Sequence, residues 1–519
     1  MNQQEKKIRY GVDFADRVKR NSLRLEGDFY RPEELLQNKN SEWPGDWTGR
    51  TLLAYINLWD ITGENQKYFN EIFDNIEAYT NQYFYFGEIL DENNVNEQQL
   101  AGNSWYLRAL CLYYELTRDK KARKYIDSVM KHLYNPLNAF IDGYPDIIPV
   151  EMTGEMAGGI IRKYGNWRLS SDVGCMYISL DGIAHAYEIT RNSETEKLLR
   201  KMFAKFFAVD KSANFFQTHA TLTALRGAMK FYDVTKDSHI LAEVKREIEV
   251  YFADGMTANF ANFNWFNRPE WTEPCAIVDS FMLFAKLYGA TNNTKYLSLA
   301  QSVYFNALIF AQRDNGGFGC DVCVNEEKNI LYCDAEGGYE AFWCCSMRGA
   351  EGLRSVAKCA FAECGDTLKL LLPMTGEGTF LNGALKAKFD VGYPYSDRIA
   401  IDVERASGAT LQIFLPYAEK IDVNMPFTYE NGMLKLENLK PCRIEIRYKI
   451  PMRKSDYKGK TAYDKGILRL GCPEGEFAER LYRDAPLLET YDDRKLIPIP
   501  PLYRYSREDA GKVFLKILF

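Results

Sequence analysis

Five apolar stretches in the first three hundred residues end in the same way, and that recurrence limits the folds open to the chain. Leu58 to Glu64, Tyr114 to Asp119, Tyr187 to Asn192, Tyr232 to Asp237 and Tyr288 to Asn293 each run an apolar helix into a Thr, turn through a polar residue and Asp, Asn or a near equivalent, then restart as a helix. The Asp or Asn can accept from the free N–H groups of the next helix, so one short motif stops a helix and caps its successor. The Thr positions, 62, 117, 190, 235 and 291, are 55, 73, 45 and 56 residues apart. Each interval holds one helical hairpin and its loop. With a closing helix after Cys345, the spacing predicts a toroid of about six hairpins, an (α/α)6 barrel. Open solenoids, the structural alternative, repeat at roughly 34 to 47 residues.

After about Gly365 the texture changes. Leu368 to Leu372, Ile399 to Val403, Leu411 to Leu415 and Ile444 to Tyr448 read as short strands between Gly, Pro and Asn turns, which predicts a smaller antiparallel β-sandwich. The expected organisation is therefore a barrel catalytic domain over 1–364 and a β-sandwich accessory domain over 365–519, in keeping with a 519-residue chain too long for one core. The segment after about Pro451 mixes strand and loop and receives no assignment.

Composition narrows the partners. A formal charge of -6 without a long basic run argues against nucleic acid, and no run approaches the ~18 apolar residues of a membrane span. The N-terminus, MNQQEKKIRYGVDF, has no apolar signal region, so a cytoplasmic location is expected. Aromatics reach 14%, which suits stacking against the rings of a small carbohydrate. Twelve cysteines without an export signal point to reduced thiols or a metal in place of a disulfide framework. Oligomeric state is not legible.

The chemistry concentrates in Thr272-Glu273-Pro274-Cys275-Ala276 and Trp343-Cys344-Cys345. One carboxylate and three thiols suit a tetrahedral zinc ion. Pro274 favours an extended Glu273 and suits the first turn of a helix, which places Cys275 at a helix N-terminus where thiolate is favoured. Cys344 and Cys345 likewise precede a helix. Adjacent thiols can also be buried or form a vicinal disulfide, and Cys320-x-x-Cys323 with Cys333, Cys344 or Cys345 could close a purely structural four-thiolate site.

Glu273-Pro274-Cys275-Ala276, the helix with Tyr296 and Tyr304-Phe305-Asn306, and Cys344-Cys345 resemble the Glu-x-Cys and Cys-Cys motifs of glycoside hydrolase family 127, the β-L-arabinofuranosidases. The resemblance implies zinc held by Glu273, Cys275, Cys344 and Cys345, with Cys344 as nucleophile of a retaining hydrolysis. In that family a Glu stands some sixteen residues before Glu-x-Cys; here the position is Thr257. Glu270, Glu340 and Asp254 are the available substitutes for the proton donor. His219, Trp47 and Trp105 are candidate sugar contacts, His185 reads as structural, and Glu151 and Glu155 are further carboxylates in a Gly-rich loop. Two other readings remain: a non-catalytic carbohydrate-binding or zinc-stapled protein on the same fold, and another (α/α)6 enzyme such as a lyase or epimerase.

Overall fold

The computed structural model describes residues 8–36, 42–146 and 161–519; Glu151 and Glu155 lie outside them. The first part is helical: α1 (Val12–Arg24), α2 (Asp46–Thr62), α3 (Phe69–Asn75), α4 (Glu97–Thr117), α5 (Lys120–Val129), α6 (Ser179–Thr190), α7 (Ser193–Ala208), α8 (Thr218–Thr235), α9 (Ser238–Asp254), α10 (Pro274–Thr291), α11 (Thr294–Val303) and α12 (Cys345–Ala360).

The repeated motif forms as its residues dictate. Thr62, Thr117, Thr190, Thr235 and Thr291 each turn the side-chain hydroxyl back onto the carbonyl four residues earlier. Gly63, Arg118, Arg191, Lys236 and Asn292 then take the left-handed conformation that ends a helix. Asp119, Asn192, Asp237 and Asn293 accept from backbone N–H groups of the following helix. Each such cap is worth about 1 kcal/mol.

The even-numbered helices pack in a closed cycle, α2 on α4, α4 on α6, α6 on α8, α8 on α10, α10 on α12 and α12 back on α2, with α3, α5, α9 and α11 each against the even helix before it, and α7 against α6. The sixth place outside the cycle belongs to α1, which packs on α12. Close approach depends on small residues. A Cβ on Gly49 would stand 2.3 Å from the Tyr106 backbone nitrogen, and one on Gly227 would stand 2.7 Å from the Leu180 carbonyl oxygen. Gly49 near the start of α2 thus meets the middle of α4, and Gly227 in the middle of α8 meets the start of α6; the starts of α10 and α12 meet directly, at Cys275 and Cys345.

The interior of the cycle is charged. Arg108 binds Asp181 at 2.8 Å, Arg226 binds Asp279 at 2.5 Å and Glu351 at 2.8 Å, Lys230 binds Asp181 at 2.5 Å, and Arg348 pairs with Asp279 and Glu351. Burial would push the Asp279 carboxyl up, but Arg348, His219 and Arg226 hold it far below the usual range.

The C-terminal region is sheet-rich. A six-stranded sheet runs Arg9–Tyr10, Gly376–Phe380, Leu385–Val391, Arg398–Ala406, Cys442–Lys449 and Glu419–Val423, so the first strand comes from the N-terminus. A second sheet orders Thr428–Glu430, Met433–Leu436, Thr410–Phe414, Thr367–Leu370 and Ala362–Cys364. It departs from the antiparallel expectation at one pair, since Thr410–Phe414 runs parallel to Thr367–Leu370. The segment left unassigned beyond Pro451 builds a third sheet from Met452–Tyr457, Lys460–Lys465, Leu468–Glu474, Arg494–Pro498 and Glu489–Tyr491. Its strand Phe514–Lys516 pairs with Ile330–Leu331, a strand inserted between α11 and α12. Leu331, Ile497, Ile499, Leu515 and Ile517 belong to a separate buried core there.

Candidate active site and metal centre

The expected local geometry holds at both motifs. Glu273 caps α10 with extended backbone (φ -122°, ψ 117°), Pro274 opens the helix and Cys275 follows in its first turn. Cys344 occupies the cap position of α12 and Cys345 its first residue. Because α10 and α12 are neighbours, the two clusters meet. Ligand atoms of Glu273, Cys275, Cys344 and Cys345 all lie within 4.8 Å of one another and could hold a metal ion. The Sγ of Cys345 is 3.5 Å from that of Cys275 and 3.3 Å from that of Cys344. Glu273 Oε2 is buried without a hydrogen-bond partner among the described residues. Such an oxygen is costly unless something absent from the protein atoms completes it.

Cys323 and Cys333 do not join this group. Their thiols donate to the carbonyls of Asn262 and Ala510, each at 3.4 Å. Cys320 lies within hydrogen-bonding reach of Cys345 without entering the set of mutually close ligand atoms. All twelve cysteines are free thiols. Burial, with the hydrogen bond of its neighbour Cys344 behind it, pushes the Cys275 thiol well up. At Cys344 the hydrogen bond with Cys275 pulls downward, but that with Cys345 and burial prevail, so this thiol is also raised. A bound cation reverses this tendency, since metal coordination deprotonates thiols.

Sequence reasoning missed Arg50. Its Nη1 stands 3.7 Å from Cys275 Sγ, its Nε binds Asp46 at 2.7 Å, and its guanidinium lies 4.1 Å from the Trp105 ring centre. Trp105 sits inside α4, fully buried, stacked on His219 at 5.5 Å and also covered by Arg108 and Arg348. His219 is buried too. Its Nδ1 is 2.6 Å from Asp279 Oδ2, while Nε2 has no partner among the described residues. Trp47 lies nearer the surface with its ring 6.1 Å from Phe342, and its Nε1 is buried without a partner among the described residues. Phe342 stacks on Phe29 at 3.9 Å, and the following Trp343 is half exposed beside Cys344.

The carboxylates named as proton donors are not brought into the thiol group. Glu340 accepts from Arg24 Nε at 2.7 Å, Ser346 Oγ at 2.8 Å and Asn315 Nδ2 at 2.7 Å, tying the loop before Cys344 to α1 and α12. Glu270 pairs with Arg268 and is about half exposed. Asp254 accepts from Ser212 Oγ at 2.6 Å. Thr257 is buried and donates to Asn259 Oδ1 at 2.8 Å within its own turn. His185 pairs with Glu115 at 3.2 Å near the other ends of the helices.

Two further buried carboxyls carried no sequence signal. Glu97, the first residue of α4, is buried and accepts from Tyr144 Oη at 2.9 Å and from the Ser170 backbone nitrogen; burial pushes its carboxyl up to about 7. Asp172 is buried, and burial followed by the charges of Glu273 and Glu97 holds its carboxyl well above the usual range.

No protein-family model matches the sequence, and no curated protein matches it. Solved structures do. A GH127 β-arabinofuranosidase superposes with a TM-score of 0.64 at 12% identity over 98% of this chain and 92% of its own. A glycoside hydrolase gives 0.64 at 11% over 100% and 98%. A GH127 β-L-arabinofuranosidase from Geobacillus stearothermophilus T6 gives 0.60 at 13% over 97% and 93%. From end to end, the chain has the fold of solved GH127 β-arabinofuranosidases.

Proposed function

We propose that the chain is a zinc-dependent retaining glycoside hydrolase acting on a β-L-arabinofuranoside or related sugar, with an (α/α)6 barrel over 1–364 as catalytic domain and the β region over 365–519 as accessory domain. The observation that carries this reading is the convergence of Glu273, Cys275, Cys344 and Cys345 at two adjacent helix starts, in a fold shared over its whole length with GH127 structures. The donor set fits zinc: bonds of about 2.3 Å to a tetrahedral ion separate its sulfurs by about 3.8 Å, a few tenths beyond the spacings between these thiols. Zinc bound by these four residues would keep the Cys344 sulfur as thiolate at neutral pH.

Cys344 then acts as nucleophile. Its sulfur attacks the anomeric carbon and the glycosidic oxygen leaves; water subsequently displaces the sulfur, and two inversions give retention. His219 Nε2 can donate to or accept from a sugar hydroxyl and Trp47 Nε1 can donate to one, while Trp105 fixes the His219 ring by stacking. Glu270 and Glu340 are the carboxylates first considered for protonating the leaving group, and each is engaged with an arginine.

Release of arabinose from a synthetic β-L-arabinofuranoside tests the proposal, and Cys344→Ser is expected to abolish it. A variant as fast as the native protein removes Cys344 from the mechanism. The second reading, a zinc-stapled protein without hydrolysis, draws on Thr257 standing where the family carries its Glu. It is favoured if chelation lowers the melting temperature while sugars neither bind nor turn over.

A further inference from the structure

The glycosidase reading needs a carboxyl group that gives a proton to the departing oxygen and later takes one from water. We propose that Asp172 is this catalytic acid and base, acting through Oδ1; the proposal rests on the glycosidase reading.

Asp172 lies in the short connection between the strand Trp167–Ser170 and the 3-10 turn Cys175–Ile178. That connection is tied to the start of α8 twice: Gln217 donates its backbone N–H to Val173 O at 3.0 Å and its Nε2 to Asp172 Oδ2 at 3.0 Å. The backbone of Asp172 is fixed as well, donating to Ser170 Oγ at 3.2 Å and accepting from Cys175 N at 3.1 Å. One carboxyl oxygen is therefore held and the other is not. Oδ1 is buried with no hydrogen-bond partner among the described residues, and Gln217 Oε1 beside it is equally bare.

This arrangement suits a carboxylic acid better than a carboxylate. An amide on Oδ2 and nothing on Oδ1 leaves the second oxygen free to carry a proton and offer it to a ligand. Geometry puts Asp172 at the same end of the helix cycle as the thiol cluster: Gln217, which holds Oδ2, stands two residues before His219, the His219 ring stacks on Trp105, and Trp105 lies under Arg50, whose Nη1 is 3.7 Å from Cys275 Sγ. Other acids nearby are used up. Glu97 accepts at both oxygens, and Glu340 accepts from three side chains.

The steps balance. As the Cys344 sulfur forms a bond to the anomeric carbon, the carbon–oxygen bond breaks and the Asp172 Oδ1 proton passes to the leaving oxygen, giving a neutral alcohol. Water then attacks the same carbon and loses its proton to the Asp172 carboxylate, while the sulfur departs with its electron pair.

The test compares native protein and Asp172→Asn on 4-nitrophenyl and methyl β-L-arabinofuranosides, with metal content and melting temperature recorded for both. Nitrophenolate leaves without protonation, so the asparagine variant should form the glycosyl-enzyme from the aryl substrate nearly normally, showing a burst and then slow turnover. On the methyl glycoside kcat/KM should fall roughly 100- to 10,000-fold. Asp172→Ala supplies a second readout: azide, which needs no general base, should restore aryl-glycoside turnover and yield an arabinofuranosyl azide of retained configuration. Equal losses on both substrates with no azide product, or no loss on either, overturn the assignment. If the native protein hydrolyses neither glycoside, the glycosidase reading fails first and this one falls with it.

Discussion

The thiols of Cys275 and Cys345 stand 3.5 Å apart across a sequence separation of 70 residues, because each occupies the first turn of one of two adjacent inner helices. Helix N-termini carry partial positive charge and unpaired N–H groups, so anionic sulfur is favoured at both. Three thiols and a carboxyl crowded there could hold a metal ion, and the energy of binding one to the folded chain alone would be folding energy.

Metal removal should therefore destabilise the protein. At a free metal concentration of 100 times Kd, binding contributes about 2.7 kcal/mol, which a chelator should remove. Elemental analysis should find about one zinc per chain, and Cys275→Ala should lower both metal content and melting temperature. A stripped protein with an unchanged melting temperature would separate the metal from the stability of the helix starts.

Arg50 should matter to folding as well as to the site. Its side chain is 7% exposed, that of Asp46 is 15%, and the two bind at 2.7 Å. Arg50→Met leaves Asp46 without its cation and Cys275 without its nearest guanidinium, at an expected cost of about 3 kcal/mol. Urea denaturation measures it. Asp46→Asn should cost less, since the thiol still faces the cation; if the two variants cost the same, the Arg50 contact with sulfur carries no weight.

The hairpin turns and the local backbone at the thiol cluster were legible because both are set by neighbouring residues. A Thr followed by Asp or Asn fixes a helix end and the next helix start within a few residues, and Glu273-Pro274-Cys275 fixes its own backbone entry into α10. Arg50, Asp172 and the set formed by Arg108, Arg226, Arg348, Asp181, Asp279 and Glu351 were not legible. Their partners come from different helices, and a buried arginine has the same sequence appearance as a solvated one. Trp105 illustrates the point: the sequence offers it as a candidate sugar contact, and three guanidiniums and the His219 ring enclose it. The third sheet was hidden for a similar reason, since Ile330–Leu331 enters it from between two helices.

Asp279 is the point where that charged interior is most sensitive. It takes Arg226, Arg348 and His219 together while fully buried. Asp279→Asn keeps the shape and removes the charge, leaving two buried guanidiniums short of an anion at an expected cost of about 3 to 5 kcal/mol. Chemical denaturation should show the loss. It should also release His219 Nδ1 from its carboxylate, so the His219 proton resonances should move; an unshifted histidine would place its orientation under the control of Trp105 alone.

Glu97 gives a pH dependence with a definite sign. Its carboxyl titrates at about 7 in the folded chain against 4.5 ordinarily, with burial as the leading cause. Between those values the folded state holds a proton that the unfolded state has lost, so stability falls as pH rises from about 4.5 to about 7 and levels above. The full contribution is roughly 3 kcal/mol at about 1.4 kcal/mol per unit. Glu97→Gln removes the titration while keeping an oxygen for the Ser170 N–H and an amide that can donate to Tyr144 Oη. Denaturation curves across this window should show the wild-type protein losing stability relative to the variant by up to that amount. Parallel curves would mean that Glu97 is ionised in the folded protein and that burial at the start of α4 is offset by the N–H groups around it.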